Sequence, residues 1–557
     1  MSDSTSGSSG SGDPTPRRPG GSLGRAAALM ASGTMVSRIL GLVRMVLLLG
    51  VIGTALAGDA FQVANTLPNQ IYILLAGGVL NAILVPQIVK ASKASDGGQD
   101  FVNRLLTLCF LLLGLSTLVM TAAAPFLVRI FASPSWPPEA FALANAFAFI
   151  AMPQIFFYGM YTILGQVLNA HGRFTAYMWA PALANVIAIG GLVAFMTLGF
   201  PLEGDVAVWD DSMIWLLAGS ATASILAQAL VLLVPLRRMG FHYTPTFGFR
   251  GVGLGSASVV AFWTFAAIVL SQARFAVVSQ VLTEATRRAS EVGLSGAGRT
   301  AYDTAFLLFM LPHSLITVSL ATAIFTRVSH AVQDGDTDAV KADLRRGLRM
   351  PAVFLIPITV GAVVLVPFVV ATMLVGTSPQ DAQAISRITV ALLLGSLPMS
   401  WQFIQTRFFY AYEDAKTPFY LQIVVSTISA GVALLALLFA PLQIAVVVAL
   451  GQVLANVASS IGGFWLLRRR LGPLHLSGVV RQNVRLGLAS VLGALLVWGL
   501  TLLLPDLDAM GWLVRGVVTV GLSGLFGVVT LALARALHVT EVDDLLAPVL
   551  RRLPGRR

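Results

Sequence analysis

Three arginines lie inside apolar stretches of the sequence that are long enough to cross a membrane. Arg38 and Arg44 fall in SRILGLVR, within the apolar run 26–53, and Arg274 falls in VLSQARFAVV. A charge at the centre of a bilayer costs about 2.5 kcal/mol or more unless it faces water or a partner. Because a guanidinium offers paired donors in one plane, it suits phosphate oxygens. The arginines therefore favour an anion site inside the membrane.

The spacing of Arg38 and Arg44 leaves a structural alternative open. Six residues place the two side chains about 120° apart on a helix, so both can border only a wide cavity, whereas Ser37 and Arg44 share one face. The alternative is that Arg38 pairs with a carboxylate on another span and that Arg44 extends its charged end to the membrane surface.

Other polar residues in apolar segments have two interpretations each. Arg274 is a weaker candidate for the same cavity, and it is equally placed to pair with Asp303 or Glu284. Asp59, in GDAFQVAN, is expected either to anchor an arginine or to cap the second span. Asp414, in FYAYEDAKTP, is expected to form a capping ion pair with Lys416 before the next helix. The alternative for Asp414 is a cation or gate site.

Composition restricts the class of protein. The 557 residues are 56% hydrophobic and 11% charged, with a mean hydropathy of +0.83, which is typical of a polytopic membrane protein. The net charge of +11 is attributed to cytoplasmic loops and anionic lipid rather than to nucleic acid. The six histidines are scattered, and the sequence has no P-loop and no Cys-x-x-Cys. We therefore expect neither an enzyme nor a metal or cofactor site.

Apolar segments recur along the chain and predict an all-α protein with about 14 transmembrane helices. They are placed at 26–53, 60–92, 101–131, 140–169, 174–200, 213–236, 254–285, 299–329, 347–375, 384–411, 417–439, 441–467, 483–504 and 511–537. Prolines inside several spans, such as Pro153 and Pro312, predict kinks.

Loop charge predicts the orientation. Lysines and arginines alternate with acidic or uncharged loops, which places both termini in the cytoplasm of a plasma-membrane protein. Only the loop with Arg287, Arg288 and Arg299 breaks the alternation. Residues 1–24, rich in Ser, Gly and Pro, are expected to form a disordered cytoplasmic tail, and 541–557 a basic cytoplasmic tail.

Several blocks resemble the MurJ/MviN family of lipid II flippases. They are TMVSRILGLVR, GDAFQVANTLPNQ, AILVPQI, GQVLNAHGRFTAYMWAPALANV, FMLPHSLITVSLATAIFTRVS and FFYAYEDAKTPFYLQI, which occur in the family's order over most of the chain. By this resemblance, Ser37, Arg38 and Arg44 match the cavity-lining motif of the first span. Asp59 and Asn69 match the next polar positions. The sequence departs from the family at Tyr72 and Leu307, where the family often has an arginine. It also departs at Met45 and Gly77, where the family often has an acidic residue.

The resemblance implies a fold of the multidrug/oligosaccharidyl-lipid/polysaccharide exporter superfamily. Two six-helix lobes, 25–238 and 250–470, would enclose a central cavity, and two further helices in 480–540 would form a groove for a lipid tail. The implied activity is transfer of undecaprenyl-diphosphate-linked peptidoglycan precursor from the inner to the outer leaflet by alternating access. Alternatives are a flippase of another lipid-linked glycan and a non-transporting scaffold for cell-wall synthesis. Membrane potential or a monovalent cation would drive transport, and cell-wall synthesis or division proteins are candidate partners.

Overall fold

The computed structural model describes residues 20–76, 99–202, 205–247 and 259–542, and within these ranges it contains helices and no strands. We divide the helices by chain order into an N-terminal half, a C-terminal half and a final pair. The N-terminal half comprises α1 (Gly20–Ile52), α2 (Leu56–Leu75), α3 (Gln99–Ala122), α4 (Ala124–Phe131), α5 (Pro138–Ala151), α6 (Gln154–Ala170), α7 (Phe174–Thr197), α8 (Asp211–Leu230) and α9 (Leu233–Arg238).

The remaining helices follow the same alternation of long apolar segments and short connections. The C-terminal half comprises α10 (Val259–Glu291), α11 (Arg299–Pro312), α12 (Val318–Gln333), α13 (Thr337–Met373), α14 (Pro379–Leu393), α15 (Ser396–Ala411), α16 (Lys416–Ala436) and α17 (Pro441–Leu471). The final pair comprises α18 (Ser477–Thr501) and α19 (Trp512–Ala536).

The prediction of an all-helical polytopic membrane protein is confirmed. In the described ranges, 12 helical segments are long and apolar enough to cross a membrane, or 13 if α14 and α15, which meet at a 45° bend, form one span. The predicted second span, 60–92, lies partly outside the described residues, so the count of 14 is not confirmed. The predicted disordered tail, 1–24, lies mostly outside the described residues, and α1 begins at Gly20.

Some prolines coincide with breaks in the helices, as expected from the loss of a backbone donor. Pro153 lies between α5 and α6, and Pro312 ends α11 just before a π-helical turn, His313–Thr317. Pro68 and Pro181 instead lie inside the continuous helices α2 and α7. The span that contains Pro312 borders the space between the two halves, because α11 packs against α2.

The two halves have separate cores that meet at one end of the bundle. Phe61 and Phe147 pack in the core of the N-terminal half, and Phe309 packs in that of the C-terminal half. Leu49, near the end of α1, belongs to the core of the C-terminal half. We call the end of the bundle formed by the connections 53–55, 132–137, 292–298 and 374–378 the closed end, because the halves are joined there.

The final pair packs mainly against α13 through a core of its own, which includes Phe368, Val497 and Phe526. Gly361 of α13 permits this packing, since a Cβ at that position would lie 2.6 Å from the Phe526 ring. Gly431, in α16, has open space at the corresponding position. The absence of a side chain is thus a packing requirement at Gly361 and not at Gly431.

We expect Gly361→Ala to lower the stability of the purified chain in detergent by about 1–3 kcal/mol, because the added methyl overpacks the Phe526 contact. Gly431→Ala is the matched control and should leave the melting temperature unchanged or raise it, because alanine favours helix. Thermal unfolding of both variants measures the difference. Equal melting temperatures would contradict the packing role of Gly361.

Candidate functional site

A cavity of about 390 Å³ lies between the two halves. It is bordered by α2 of the N-terminal half and by α10, α11, α15 and α17 of the C-terminal half. Its polar lining includes Gln70, Arg274, Arg299, Asp303 and Gln452. The cavity therefore combines apolar walls with a few charged and amide groups, as ligand sites commonly do.

Arg274 reaches this cavity without a carboxylate partner. Its Nη1 donates to Gln452 Oε1 at 2.6 Å, and Gln452 Nε2 donates in turn to Asn456 Oδ1 at 2.9 Å. The Nε of Arg274 is buried and has no hydrogen-bond partner among the described residues. The alternative, in which Arg274 pairs with Asp303 or Glu284, is not observed. Arg274 keeps its positive charge uncompensated beside the cavity.

The two carboxylates are instead taken by other arginines. Asp303 pairs with the buried Arg299 at 2.7 Å, and Glu284 pairs with Arg287 at 2.7 Å and with Arg288 at 2.8 Å. The three arginines that break the predicted loop-charge alternation are therefore all neutralised locally. Partly buried pairs of this kind offset the desolvation of both charges.

Arg38 connects the two halves. Its Nη1 donates to Ser314 Oγ at 3.0 Å, and Ser314 lies in the π-helical turn between α11 and α12. The preceding residue, Ser37, accepts a hydrogen bond at its carbonyl oxygen from Asn185 Nδ2 of α7 at 2.9 Å. Arg38 thus has a hydroxyl partner in place of the carboxylate expected in the structural alternative.

Arg44 faces an aromatic cluster of the N-terminal half. It interacts electrostatically with Tyr158 of α6 and forms no ion pair in the ranges that the structure describes. The Tyr158 ring lies 5.7 Å from that of Tyr72, whose hydroxyl lies 2.5 Å from Thr162 Oγ1. Tyr72, where the family often has an arginine, thus packs against Tyr158, the ring that interacts with Arg44.

Asp59 is fully buried, and it joins the halves at the closed end. Its carboxylate accepts hydrogen bonds from the backbone N–H of Thr300 at 2.7 Å and of Arg299 at 3.1 Å, and from the hydroxyls of Thr300 and Thr286. Asp59 thereby satisfies the free donors at the start of α11 and places negative charge at the positive end of its dipole. It neither caps its own helix nor pairs with an arginine side chain.

Further hydrogen bonds at the closed end cross between the halves. Thr54 Oγ1 donates to Asp381 Oδ1 at 2.7 Å, and Ser133 Oγ donates to Glu284 Oε2 at 2.7 Å. Trp136 Nε1 donates to the carbonyl oxygen of Thr283 at 3.1 Å. At the opposite end, near 171–173, 334–336 and 412–415, His171, Thr417 and Arg470 form hydrogen bonds within their own halves. The hydrogen bonds that cross between the halves are therefore concentrated at the closed end, and the Arg38–Ser314 bond is a further one away from it.

The structure does not bring the two remaining predicted site residues into this network. Asn69 lies exposed on α2, one residue before the cavity-lining Gln70. Asp414 lies at the opposite end, where its carboxylate accepts from the Thr417 N–H at 2.9 Å and from Arg470 at 3.3 Å. The predicted pairing of Asp414 with Lys416 is wrong, because the Lys416 ammonium lies over the Trp263 ring.

Sequence reasoning missed two residues that shape the site. Gln452 and Ser314 have no charge or motif to distinguish them, and their roles come from distant partners. The ion pair of Arg299 with Asp303 was predictable from the sequence, because the two residues have the i, i+4 spacing that favours an ion pair on a helix.

Comparisons with known proteins agree with this architecture. The sequence model of the family described as "Lipid II flippase MurJ" matches residues 49–523. A protein of Vibrio cholerae named "Probable lipid II flippase MurJ" is 25% identical over 528 residues, which cover 90% of this chain and 93% of the relative. "Lipid II flippase MurJ" of Burkholderia cenocepacia is 27% identical over 71% of this chain and 75% of the relative.

Solved structures show the same fold. A structure described as "Lipid II flippase MurJ, inward closed conformation" matches with a TM-score of 0.68 at 19% identity, over 90% of this chain and 98% of that one. An inward-facing multidrug resistance MATE family transporter of the MOP superfamily matches with a TM-score of 0.55 at 17% identity, over 81% of this chain. Arg38 and Arg44 precede the segment that the family model matches, so their interpretation depends on their surroundings.

We expect Asp59→Asn to weaken the closed end, because an amide cannot accept at both positions that the carboxylate serves. A cysteine placed at the cavity-lining Gln70 should then react faster with a membrane-impermeant thiol reagent applied from the closed-end side. Background labelling is limited, since the native Cys109 is buried. Asp210→Asn, at an exposed carboxylate that caps α8, is the matched control and should not change the rate. Equal rates for both variants would contradict the joining role of Asp59.

Proposed function

The chain belongs to the lipid II flippase MurJ family, and from this premise we propose that it transfers undecaprenyl-diphosphate-linked peptidoglycan precursor between leaflets by alternating access. The observation that carries the proposal is a cavity between two halves that are joined mainly at one end. It is bordered by Arg274, which has no carboxylate partner among the described residues, and Arg38 links the halves through a neutral hydroxyl. Such a cavity admits an anion from one side of the membrane at a time.

The proposed roles of the side chains follow from charge. Arg38 and Arg44 bind the diphosphate, and Ser37 and Asn69 provide further polar contacts near them. Arg274 contributes a third cation from the C-terminal half, where Gln452 orients it. Asp59 acts from the closed end as the residue that holds the halves together, rather than by contact with the anion. Guanidinium donors suit this task because they engage two phosphate oxygens in one plane.

The proposed orientation places the closed end outside the cell and both termini in the cytoplasm of the plasma membrane. In this arrangement the cavity receives substrate from the inner leaflet. The halves correspond to the two lobes, and the final pair supplies a groove for the lipid tail. The membrane potential or a monovalent cation drives release, and cell-wall synthesis or division proteins are the proposed protein partners. Asp414 as a cation or gate site stays a prediction, and a cation there would compete with Thr417 and Arg470 for the carboxylate.

Two other functions give different outcomes in experiment. A non-transporting scaffold would tolerate loss of the arginines, because removing an intramembrane charge relieves its desolvation. A flippase of another lipid-linked glycan would need the arginines but would not restore lipid II transfer. An antiporter of cationic drugs is disfavoured, because Arg274, the unpaired charge among the described residues that line the cavity, is positive.

We expect the double variant Arg38→Gln/Arg44→Gln to abolish transfer of lipid II. The measurement is lipid II exposure at the outer leaflet of cells depleted of their own flippase and supplied with this chain. Arg469→Gln is the control, since Arg469 is exposed and stacks on Trp465 outside the cavity. Restoration by the double variant, at equal abundance in the membrane, would refute the anion-binding role. If the native chain also failed to restore lipid II exposure, another lipid-linked glycan would be favoured as the substrate.

We further expect Arg274→Gln to lower transfer by about tenfold, the effect of losing one charged contact. If Arg274 compensates for arginines absent from the sequence, Tyr72→Arg or Leu307→Arg in the Arg274→Gln background should restore part of the activity. The same assay of lipid II exposure at the outer leaflet measures the loss and the restoration of transfer. Unchanged transfer in Arg274→Gln would remove this residue from the site.

A further inference from the structure

A second cavity, of about 760 Å³, lies outside the space between the halves. Its walls come from α13, α14 and α17, and Leu507, between α18 and α19, also lines it. Most of the lining is apolar, and the cavity opens to the surface of the bundle, because Val363, Leu394 and Leu450 are exposed. This groove therefore faces the lipid phase.

Polar groups in the groove are confined to one part of α14. The lining residues Gln380, Gln383, Arg387 and Val390 of this helix and Leu394, directly after its end, form one stripe with a spacing of three and four residues. The stripe is polar towards the closed end and apolar beyond Arg387. A lipid has the same order of chemistry, from a polar headgroup to an apolar chain.

The depth of Arg387 fits a headgroup. It lies eight residues after Pro379, the first residue of α14, which corresponds to about 12 Å along the helix. Half of the hydrocarbon core measures about 15 Å, so a helix that enters the bilayer near Pro379 carries the guanidinium within one leaflet. Its flexible stem allows the charge to reach the level of lipid phosphates.

Arg387 is available to a ligand. It is exposed and forms no ion pair or hydrogen bond within the described part of the chain. The carboxylate on the same helix, Asp381, is buried and engaged by Thr54. The other arginine near this groove, Arg515, already donates to the carbonyl oxygens of Ala371 and Met510. Arg387 is thus a cation at the edge of an apolar groove with no protein anion to neutralise it.

We propose that this groove binds a lipid through its phosphate, with Arg387 on the phosphate and the chain along Val390, Leu394 and Leu450. The shared chemistry is a phosphate ester on an apolar chain, which either a membrane phospholipid or a polyprenyl carrier supplies. The site is separate from the central cavity and does not depend on the proposed transfer activity.

The test is native mass spectrometry of the full purified chain in detergent. Three probes are added in turn: dioleoyl phosphatidylglycerol, undecaprenyl phosphate and dioleoylglycerol, which has no phosphate. Arg387→Gln should weaken binding of the two phosphate lipids by about tenfold and leave dioleoylglycerol unchanged, because only the charged contact is lost. Val390→Trp, which fills the groove, should weaken all three probes. The two phosphate lipids are then compared. The one whose binding depends more strongly on Arg387 identifies whether a phospholipid or a polyprenyl carrier supplies the phosphate.

Controls separate this site from others on the chain. Arg469→Gln removes one positive charge elsewhere and should leave all three probes unaffected. Arg38→Gln/Arg44→Gln should leave the Arg387-dependent binding intact, whatever it does to transfer. Undiminished binding of phosphate lipids to Arg387→Gln would overturn the proposal. An equal loss of dioleoylglycerol in this variant would also overturn it.

Discussion

The cost of a charge inside a bilayer is the constraint on which the rest of this structure depends. Arg299 and Glu284 meet it with partners inside the chain, since each forms an ion pair at 2.7 Å. Arg38 and Arg274 are matched only by neutral groups, the Ser314 hydroxyl and the Gln452 amide. A neutral partner orients a guanidinium without cancelling its charge. The pairing pattern therefore distinguishes arginines that stabilise the fold from arginines that are available to an anion.

The same constraint explains how the two halves are joined. A carboxylate as buried as that of Asp59 is tolerated because four donors from the other half surround it. Separating the halves at this end would expose these donors and the carboxylate to water, which compensates much of the loss. Net values of about 0.5–3 kcal/mol per hydrogen bond then describe a joint that is stable but reversible. A ligand that binds the separated state more tightly by a similar amount would shift the equilibrium.

The sequence predicted the class of fold and the unusual arginines, because apolar length and intramembrane charge are local properties. It did not predict the partners. Asp59 caps a helix that begins 240 residues later, and Arg274 meets Gln452 across 178 residues, so no spacing rule connects them. Arg387 escaped notice because an arginine near a helix end resembles any surface cation. Only the groove beside it, built from three helices, sets it apart.

Transfer of a diphosphate requires release as well as binding, and the placement of the cations bears on both. Arg38 and Arg44 lie on α1, whereas Arg274 lies on α10 of the other half. If the halves separate at the closed end, the distance between these groups changes, and an anion held by both sides loses part of its contacts. A membrane potential that is negative inside favours outward movement of negative charge by about 2.3 kcal/mol per charge per 100 mV. A dianion thus gains an amount comparable with a few hydrogen bonds of the closed end. Under the proposed function, binding from two halves and a field across them would together give the cycle a direction without a nucleotide.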